Sequence, residues 1–494
     1  MKNFLLLLLL AFPAINVHSE DVLQVAPFEV KVGAVSADRA YFSIMMNNSS
    51  AEIWAVQFDV LLPEGMEIVR VMPNQERFPN TYDDWDERYV YDHKIEYNEV
   101  STGGTRIVAY TTKERRIKGN SGEIMKVYYT SSEDMEPGIY PIKVKGADLT
   151  ITGSSSIKPV ESSSYCFVGE SPLKTEQSVD MSSLTGYVPS FTIEAMNSQM
   201  AENSKLTLLD LSSADSLGAV PVMGNKNGLV RVSATAATST LADAKSVVVA
   251  TADGDVCNSL SLADGDWNFN ASEGFTAKNA AFNRVFKAGQ WSTVCLPYGV
   301  SAEQLSVIKE NGTEVERLAS YDADANILKF EAVTEMVANT PYIIKCSKEC
   351  APFEALADVA VAASATLNDV HCGIVTMSGV LSTTILNSDA SVSYYGYNSA
   401  DGSFVKIGSN GTAYPFRAFI SIPSAGAEVK RIGVEHGNGE LTGITEVDDM
   451  NTMSVTDVYT VDGKLVRSAV SVGKATKGLA SGVYVVGSKK IVVR

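Results

Sequence analysis

The densest group of chemistry-bearing side chains lies between residues 82 and 91. It interleaves acids with aromatic residues, namely Tyr82, Asp83, Asp84, Trp85, Asp86, Glu87, Tyr89 and Tyr91. Carboxylates can bind calcium, and a carboxylate pair can hydrolyse a glycoside, but the ordered spacing and glycine of a calcium loop are missing. Exposed aromatic rings can instead stack on a sugar or a partner protein. We therefore take Tyr82, Trp85, Tyr89 and Tyr91 as candidate binding residues. The alternative is a solvated loop with one buried tryptophan.

Histidine is scarce, which limits the catalytic mechanisms open to this chain. Beyond residue 19 only His93, His371 and His436 remain. A serine or cysteine nucleophile needs a positioned imidazole base, and none of the three lies in a recognisable motif. The sequence also lacks a nucleophile elbow and a phosphate-binding glycine loop. We expect a protein that is not an enzyme and needs no cofactor. The alternative is an enzyme with an unrecognised site, gathering acids or His93 in a deep pocket.

The six cysteines are too few and too scattered for a disulfide scaffold. Cys346 and Cys350 are close enough in sequence to pair, and the sequence leaves their state open. With His371 and Cys372 they could also form a zinc site. Neighbouring strand residues point to opposite faces, however, so His371 and Cys372 fit one metal poorly. We expect no metal site.

Length and charge restrict the class of protein further. A chain of 494 residues with 45% hydrophobic residues should form several domains. Its formal net charge is −18. Nucleic-acid binding requires a basic patch, so the composition argues against a nucleic-acid partner.

Residues 1–19 have the features of a secretory signal peptide. Lys2 gives a short positive region, Phe4 to Ala14 forms an apolar core, and Val17-His18-Ser19 suits cleavage. A membrane anchor is the alternative, but the apolar run is shorter than the roughly 20 residues that a spanning helix needs. We find no later segment apolar enough to span a bilayer, so we expect export without a membrane span.

Alternating apolar and polar residues between turn-forming clusters predict an all-β, multidomain chain of sandwiches or barrels. Helical periodicity is limited to short pieces near Ser301–Lys309 and Gln199–Asn203. Residues 22–170 form the first predicted domain, a β-sandwich. Its clearest strand places Trp54, Val56, Phe58, Val60 and Leu62 on one face, and we expect the first four of these residues to be buried in the core.

The order of motifs in residues 22–170 resembles that of the cohesin family. A strand ending at Pro63-Glu64-Gly65 precedes the Ile107–Tyr110 strand, and the segments 119–124 (GNSGEI) and 137–140 (PGIY) follow. The resemblance implies a jelly-roll β-sandwich with a flat strand surface that can hold a protein partner, as cohesins hold dockerins. A dockerin-like calcium loop does not occur in this chain. A sandwich serving only as a spacer is the alternative.

The middle of the chain carries weaker patterns. Residues 178–265 are predicted to be an irregular β-rich region or a short solenoid. The segment 204–212 (SKLTLLDLS) has a leucine-repeat character, but it lacks a second copy at a spacing of 20–29 residues, which favours a single buried strand. Residues 266–423 are predicted to be a further β-rich domain. Segments such as 291–298 (WSTVCLPY) and 414–419 (YPFRAF) resemble recurring pieces of large Bacteroidetes surface proteins and imply no known activity. Asp401-Gly402 predicts a hairpin.

The end of the chain differs in charge from the rest. Residues 424–449 are rich in glycine and acids and are predicted to be a linker. From Gly463 onward every charged side chain is basic. The Asp462-Gly463 pair predicts a hairpin. Residues 450–494 are predicted to be a C-terminal sorting domain, because the stretch from about Asp457 to Arg494 resembles the sorting tail of Bacteroidetes proteins secreted by the type IX system. The resemblance implies a small folded β-sandwich, in which we expect these side chains to be buried: Val458, Leu465, Val483, Val485 and Ile491.

Together these features predict a secreted or cell-surface, non-catalytic adhesion or scaffolding protein. The partner would be another protein or a polysaccharide at the cell surface, with the secretion machinery engaging the tail. A carbohydrate-binding component of surface glycan capture is the alternative to a protein-binding role.

Overall fold

A computed structural model describes residues 21–48, 52–101, 103–113, 115–151, 155–424, 430–443, 455–471, 475–480, 482–486 and 489–493. The predicted signal peptide 1–19 lies outside these ranges, as do parts of the predicted linker and residues 450–454 of the predicted tail. The prediction of an all-β, multidomain chain is confirmed. Across the described ranges, each helix is too short or too polar to traverse a bilayer.

The N-terminal part is a β-sandwich. One sheet has the order β1-β3-β10-β5, and it faces the strands β13-β11-β4-β9-β8 of a second sheet. β2 and β12 extend the second sheet, and β6 and β7 form a separate hairpin. The strands are β1 (Val22–Val25), β2 (Phe28–Val30), β3 (Tyr41–Asn47), β4 (Ile53–Leu61), β5 (Met66–Pro73), β6 (Asn80–Asp83), β7 (Arg88–Tyr91), β8 (His93–Val100), β9 (Gly104–Thr111), β10 (Glu123–Ser131), β11 (Gly138–Ile151), β12 (Ser156–Ile157) and β13 (Ser162–Val168).

The core of the sandwich lies between these sheets and includes Val56, Phe58 and Val60, as predicted. The expected burial of Trp54 is wrong: this side chain is half-buried, and Ile53 lies in the core instead. The register between β4 and β11 is irregular at Ile53, and Trp54 has no partner there. Such a bulge adds a residue to one strand and changes the face on which the following side chain lies.

The next region contains parallel strands that stack on one another. β14, β16, β18 and β19 pair in parallel in that order, which is the arrangement of a short solenoid. Residues 204–212 contain the predicted strand, β16, with Leu209 and Leu211 buried, but its parallel pairing on both sides supports the alternative of one solenoid turn. The elements are α1 (Pro172–Thr175), β14 (Ser178–Asp180), β15 (Gly186–Val188), α2 (Ser190–Met200), β16 (Leu208–Leu211), β17 (Ala214–Leu217), β18 (Leu229–Ser233), α3 (Ser239–Ala242), β19 (Val247–Ala250), β20 (Val256–Cys257) and β21 (Leu260–Leu262).

Strand β13 is shared by the sandwich and the parallel region. Cys166 and Val168 lie in the sandwich core, whereas Tyr165 lies in the next core with α2 and the parallel strands. β15 pairs in parallel with β13, and β17 pairs with β15. Helix α2 begins at Ser190, well before the helical piece predicted at 199–203.

The third part packs two further cores. One is shared by β22, β23, β26, β27 and α4, and the other is enclosed by a long sheet running from β23 to β28. Its elements are β22 (Phe275–Phe282), β23 (Trp291–Cys295), α4 (Ala302–Glu310), β24 (Thr313–Asp322), β25 (Ile327–Ala332), β26 (Pro341–Cys346), β27 (Leu356–Val361), β28 (Val370–Cys372), β29 (Val375–Val380), β30 (Thr384–Leu386), β31 (Val392–Asn398), β32 (Ser403–Ile407), β33 (Gly411–Ala413), β34 (Arg417–Pro423), β35 (Arg431–Glu435) and β36 (Leu441–Thr442).

Several local predictions can be compared with this part. The Asp401-Gly402 hairpin is confirmed, since β31 and β32 pair antiparallel across it. Helix α4 is capped by Ser301, close to the predicted start. The linker prediction is wrong over residues 431–435, because β35 pairs with both β25 and β32 and buries Ile432 and Val434.

The tail forms a sheet of four strands in the order β38-β37-β39-β40. Val458 is buried as expected and Ile491 packs against the small core, but Leu465 and Val483 are 49% and 40% exposed. Tyr484 and Val486 point inward instead. A shift of one residue in the inward set moves every side chain of a strand to the opposite face, which explains the error. The strands are β37 (Val455–Thr460), β38 (Leu465–Ser471), β39 (Gly482–Val486) and β40 (Lys489–Val493), with β37 and β38 paired as the Asp462-Gly463 motif predicts.

Candidate functional site

The candidate site is the hairpin formed by β6, β7 and the turn between them, which we call the Trp85 hairpin (residues 80–91). Its strands pair from Asn80 opposite Tyr91 to Asp83 opposite Arg88. The Asp83 carboxylate accepts the backbone N–H groups of Trp85 at 3.0 Å and of Asp86 at 3.3 Å. This is the way in which an aspartate side chain stabilises a tight turn.

The acids of the turn are therefore partly engaged in building it. Asp83 is committed to the turn backbone, and the Asp86 carboxylate pairs with Arg88 at 3.1 Å. A glycosidase needs two carboxylates placed on either side of the scissile bond. Asp83 and Asp86 instead hold their own loop, whereas Asp84 and Glu87 of the same turn are exposed.

The aromatic side chains of the hairpin differ in exposure. Trp85 at the tip is 94% exposed and Tyr89 is 70% exposed, while Tyr82 is 47% exposed. The rings of Tyr82 and Tyr89 meet edge to face with centroids 5.2 Å apart. Tyr91 is half-buried and packs against the sandwich core. Of the four candidate binding residues, three are available to a partner and Tyr91 anchors the hairpin.

The two faces of the hairpin have different chemistry. Side chains alternate along a strand, so Tyr82 and Tyr89 occupy one face, and Thr81 and Val90, also paired across the strands, occupy the other. Thr81, Val90 and Trp85 line an open groove of about 490 Å³ together with Tyr82, Asp83, Asp84 and Lys113. Tyr82 therefore belongs both to the tyrosine pair and to a groove that offers acids, a tryptophan and a lysine.

Asp92 ties the base of the hairpin to the sandwich. Its side chain is 1% exposed, and it accepts hydrogen bonds from Thr81 Oγ1 at 2.7 Å and Lys113 Nζ at 3.2 Å, with Arg115 Nε at 3.6 Å. Burial opposes ionisation of this carboxyl, but the hydrogen bonds and positive charges outweigh it and lower the pKa of Asp92. The hairpin is thus held by a charged anchor at its base while its tip remains in solvent.

His93 follows directly and serves structure rather than chemistry. Its Nε2 donates to the carbonyl oxygen of Trp54 at 3.0 Å, and its ring meets Phe78 edge to face at 5.0 Å. Burial lowers the pKa of His93 and outweighs the hydrogen bond to Trp54 and the charge of Asp92. The imidazole is therefore held neutral inside the fold, away from any substrate that approaches the hairpin tip.

A second imidazole forms an arrangement that the sequence did not indicate. His436 Nδ1 lies 2.9 Å from Glu316 Oε2 and its Nε2 lies 3.1 Å from Thr442 Oγ1, while its ring stacks on Trp291 at 4.2 Å. A carboxylate, an imidazole and a hydroxyl in this order resemble a hydrolytic triad. The side chains of His436 and Glu316 are only 0% and 3% exposed, however. The group fastens the β35–β36 hairpin to β24 and is closed to substrate. Residues 120 apart in sequence gave no motif that could predict it.

The four residues considered for zinc do not come together. Cys346 and Cys350 belong to the core around α4. Cys372 packs against the neighbouring core, and His371 Nδ1 lies 3.0 Å from Thr376 Oγ1 on the adjacent strand. Within the described residues, no cluster of three or more histidine, cysteine or acidic side chains is arranged to hold a metal ion.

Comparisons with known proteins give structural similarity only. The sequence matches no model of a known protein family and none of the curated proteins compared with it. Among solved structures, it is similar to the cohesin of a type I cohesin–dockerin complex from Clostridium thermocellum, at 15% identity and a TM-score of 0.24, covering 30% of this chain and 99% of that one. A cohesin module from a Clostridium perfringens family 33 glycoside hydrolase gives 12% identity and a TM-score of 0.22, covering 31% of this chain and 98% of that one.

A non-cellulosomal cohesin from the archaeon Archaeoglobus fulgidus gives 10% identity and a TM-score of 0.23, covering 31% of this chain and 92% of that one. At these values the similarity does not indicate what this chain binds.

Proposed function

We propose that this protein is a non-catalytic, secreted or surface-displayed binding protein whose N-terminal sandwich presents the Trp85 hairpin to a protein partner. The observation that carries the proposal is Trp85, an indole ring 94% exposed at the tip of an ordered hairpin. Large aromatic side chains left in water are costly to keep exposed, and they are enriched among the residues that dominate binding energies.

The hairpin has the properties of a preorganised contact. Its turn is held by Asp83, its base by Asp92, and its tyrosines by each other. Binding through a rigid element loses less conformational entropy than binding through a flexible loop. The exposed acids Asp84 and Glu87 flank Trp85, so the complementary surface would have an apolar pocket with a basic rim.

The two ends of the chain supply the proposed location. Residues 1–19 would deliver the chain for export, and residues 450–494 would be recognised by the outer-membrane secretion machinery. The tail strands β37 to β40 pair only with one another among the described residues. A separate small sheet is suited to recognition as a shape, independently of the protein it carries.

The test compares two surfaces of one sandwich. Purified protein, labelled at a terminus, is measured for retention on cells of the culture that produces it, as wild type, Trp85→Ala and Tyr41→Ala. Tyr41 is the control, because it is an aromatic residue that is 45% exposed on strand β3, outside the Trp85 hairpin. We expect Trp85→Ala to weaken binding at least about 30-fold, as for a binding hot spot, and Tyr41→Ala to leave it unchanged. Equal retention of all three proteins would contradict the proposal.

A polysaccharide ligand is the second candidate, and the groove beside Trp85 favours it. An indole ring next to Asp84, Thr81 and Lys113 combines a stacking platform with polar groups, which suits the apolar and hydroxyl faces of a sugar. A glycan array distinguishes the two candidates. Saturable glycan binding that Trp85→Ala abolishes would favour the polysaccharide over the protein partner.

A further inference from the structure

Cys346 and Cys350 lie in one core cluster, although the sequence leaves open whether they pair. Cys346 ends strand β26 and is fully buried, and Cys350 is half-buried against the same cluster. The chain between them makes a short bend instead of continuing the strand. The two thiols interact directly through their side chains.

Both ends of this bend are held by the same neighbouring segment. The Gly289 N–H donates to the carbonyl of Cys346 at 2.7 Å, and Phe286 and Cys350 exchange two backbone hydrogen bonds at 2.9 and 3.2 Å. On the other side, Ser347 N–H donates to the carbonyl of Gly312 at 2.7 Å. The backbone therefore holds both ends of the bend against the same segment, which keeps Cys346 and Cys350 in one cluster.

We propose that Cys346 and Cys350 form an intramolecular disulfide when the protein meets an oxidising environment, and that the other four cysteines remain thiols. Burial raises the pKa of Cys166, Cys257 and Cys295 to about 12, and it raises the pKa of Cys346 equally. The pair is distinguished by its geometry, because Cys350 lines an open groove and packs against the cluster that contains Cys346, whereas Cys166, Cys257 and Cys295 are fully buried. Cys372 packs against a different core from the pair.

The oxidant is a small-molecule disulfide such as oxidised glutathione, and the groove beside α4 gives it access. Cys350 lines this open groove of about 590 Å³, whereas Cys346 is covered. The Cys350 thiolate attacks one sulfur of the oxidant and releases one glutathione thiolate. Cys346, after loss of its proton, attacks the Cys350 sulfur of the mixed disulfide and releases the second thiolate. The two cysteine protons end on the two released thiols, and two electrons pass from the cysteine pair to the oxidant.

The product closes a small loop at the end of β26. A disulfide restricts the unfolded chain only modestly when the loop is short, so its main effect is local. It joins the two ends of the bend, which backbone hydrogen bonds already hold against the Phe286–Gly289 segment, and it removes a free thiol from the groove wall. In an exported protein it would protect the half-buried Cys350 from overoxidation.

The test uses the whole chain and the position of Lys348 between the two cysteines. The native protein is incubated with oxidised glutathione, remaining thiols are alkylated, and the protein is digested with trypsin without reductant. Trypsin cuts after Lys345, Lys348 and Lys406, so a disulfide joins peptide 346–348 to peptide 349–406, which contains both Cys350 and Cys372, and reduction separates the two. We expect this linked pair to dominate, with fragmentation locating the link at Cys350 and the alkyl group at Cys372. Persistent glutathione on Cys350, alkylation of both thiols or a link from Cys350 to Cys372 would overturn the proposal.

A variant separates the two chemical steps. Cys346→Ser keeps a small polar side chain in place but cannot resolve the mixed disulfide. Its intact mass after oxidation should show one stable glutathione adduct on Cys350 that the wild type lacks. Cys372→Ser serves as the matched control and should still form the linked pair. If Cys346→Ser carries no more glutathione on Cys350 than wild type, Cys346 is not the resolving thiol and the proposal fails.

Discussion

At the residue scale, one buried carboxylate links the candidate site to the fold. The Asp92 carboxylate accepts a hydrogen bond from Thr81 of the hairpin and forms ion pairs with Lys113 and Arg115 of the loop after β9. Its neighbour His93 extends the anchor to the carbonyl of Trp54. Asp92 and His93 hold the base of the hairpin and are not among the residues that line the groove beside Trp85, so their titration should change the stability of the sandwich rather than the contact itself.

Acidification should destabilise the sandwich through His93. Burial lowers its pKa below the unfolded value of 6.5, so only the unfolded chain binds the proton readily. Its stabilising contribution is complete above about pH 6.5 and is lost as the pH falls toward the lowered pKa. We expect the unfolding free energy, from hydrogen exchange of the β4 and β8 amides, to decrease between about pH 7 and 5 more steeply in wild type than in His93→Gln. Parallel pH profiles would exclude this role of His93.

The alternation along β4 predicted most of the sandwich core correctly but misplaced its largest member. Val56, Phe58 and Val60 are buried, whereas Trp54 is half-buried because the strand bulges beside Ile53. A bulge depends on the partner strand β11, so a single strand pattern contains no information about it. The exposed tip of the hairpin was predictable only as a set of candidates, because the sequence does not show which aromatic residue anchors the hairpin.

The corrected core changes the expected effect of two substitutions. Phe58 is 0% exposed at the centre of the sandwich, so Phe58→Ala should cost about 3–5 kcal/mol of unfolding free energy. Trp54→Ala should cost less, since part of its ring already contacts water. Hydrogen exchange of the β9 backbone amides, measured at increasing denaturant concentration, gives the loss of unfolding free energy for each variant. A larger loss for Trp54→Ala than for Phe58→Ala would show that the bulge is misassigned.

At the element scale, the parallel strands explain why the repeat was missed. Asp180 and Asp210 occupy equivalent positions, each accepting the N–H of the serine two residues later at 2.8 Å. These two positions are 30 residues apart, just outside a repeat length of 20–29 residues. The equivalent position on β18, 21 residues after Asp210, carries Arg231 instead of an aspartate, and Arg231 pairs with Asp210 and Asp255. Because the side chain at this position changes from aspartate to arginine, the sequence does not show the repeat, although the parallel strand pairing continues.

The shared strand β13 makes the sandwich depend on its neighbour. Tyr165 is fully buried in the core of the parallel region, and Phe167 and Ile139 pack against it. A fragment of residues 21–170 should therefore expose this apolar face, bind the dye ANS and melt at a lower temperature than a fragment of residues 21–252. Thermal unfolding and ANS fluorescence are measured for both fragments. Equal melting temperatures and no dye binding would show that the sandwich is independent after all.

At the scale of the whole molecule, the described sheets fall into two groups. Strand pairing and shared cores connect the sandwich, the parallel region and the β22–β36 part. The tail sheet pairs only within itself across the described residues. Strands β21 and β22 lie on opposite sides of the predicted boundary at residue 265 and pair with each other, so the boundary divides one sheet. Strand β35 likewise occupies part of the predicted linker, because glycine and acid content cannot exclude a strand that two neighbours complete.

Removal of the tail should separate folding from delivery. A chain ending at Asp449 keeps every described strand from β1 to β36, so we expect it to fold, enter the periplasm and fail to reach the cell surface. Cell fractionation with an antibody against the N-terminal sandwich measures the distribution. A chain that lacks residues 172–217 but keeps the tail controls for general misfolding. Normal surface delivery of the shortened chain would show that the tail is only a terminal β-sheet.

The most direct measurement of the central claim is position-specific crosslinking in intact cells. The photoreactive residue p-benzoylphenylalanine replaces either Trp85 at the hairpin tip or Tyr41 on strand β3, outside the hairpin. After irradiation, crosslinked species are separated and identified by mass spectrometry. We predict one dominant protein adduct from position 85 and none of it from position 41. The same adducts from both positions, or none from position 85, would contradict the assignment of the Trp85 hairpin as the partner-binding site.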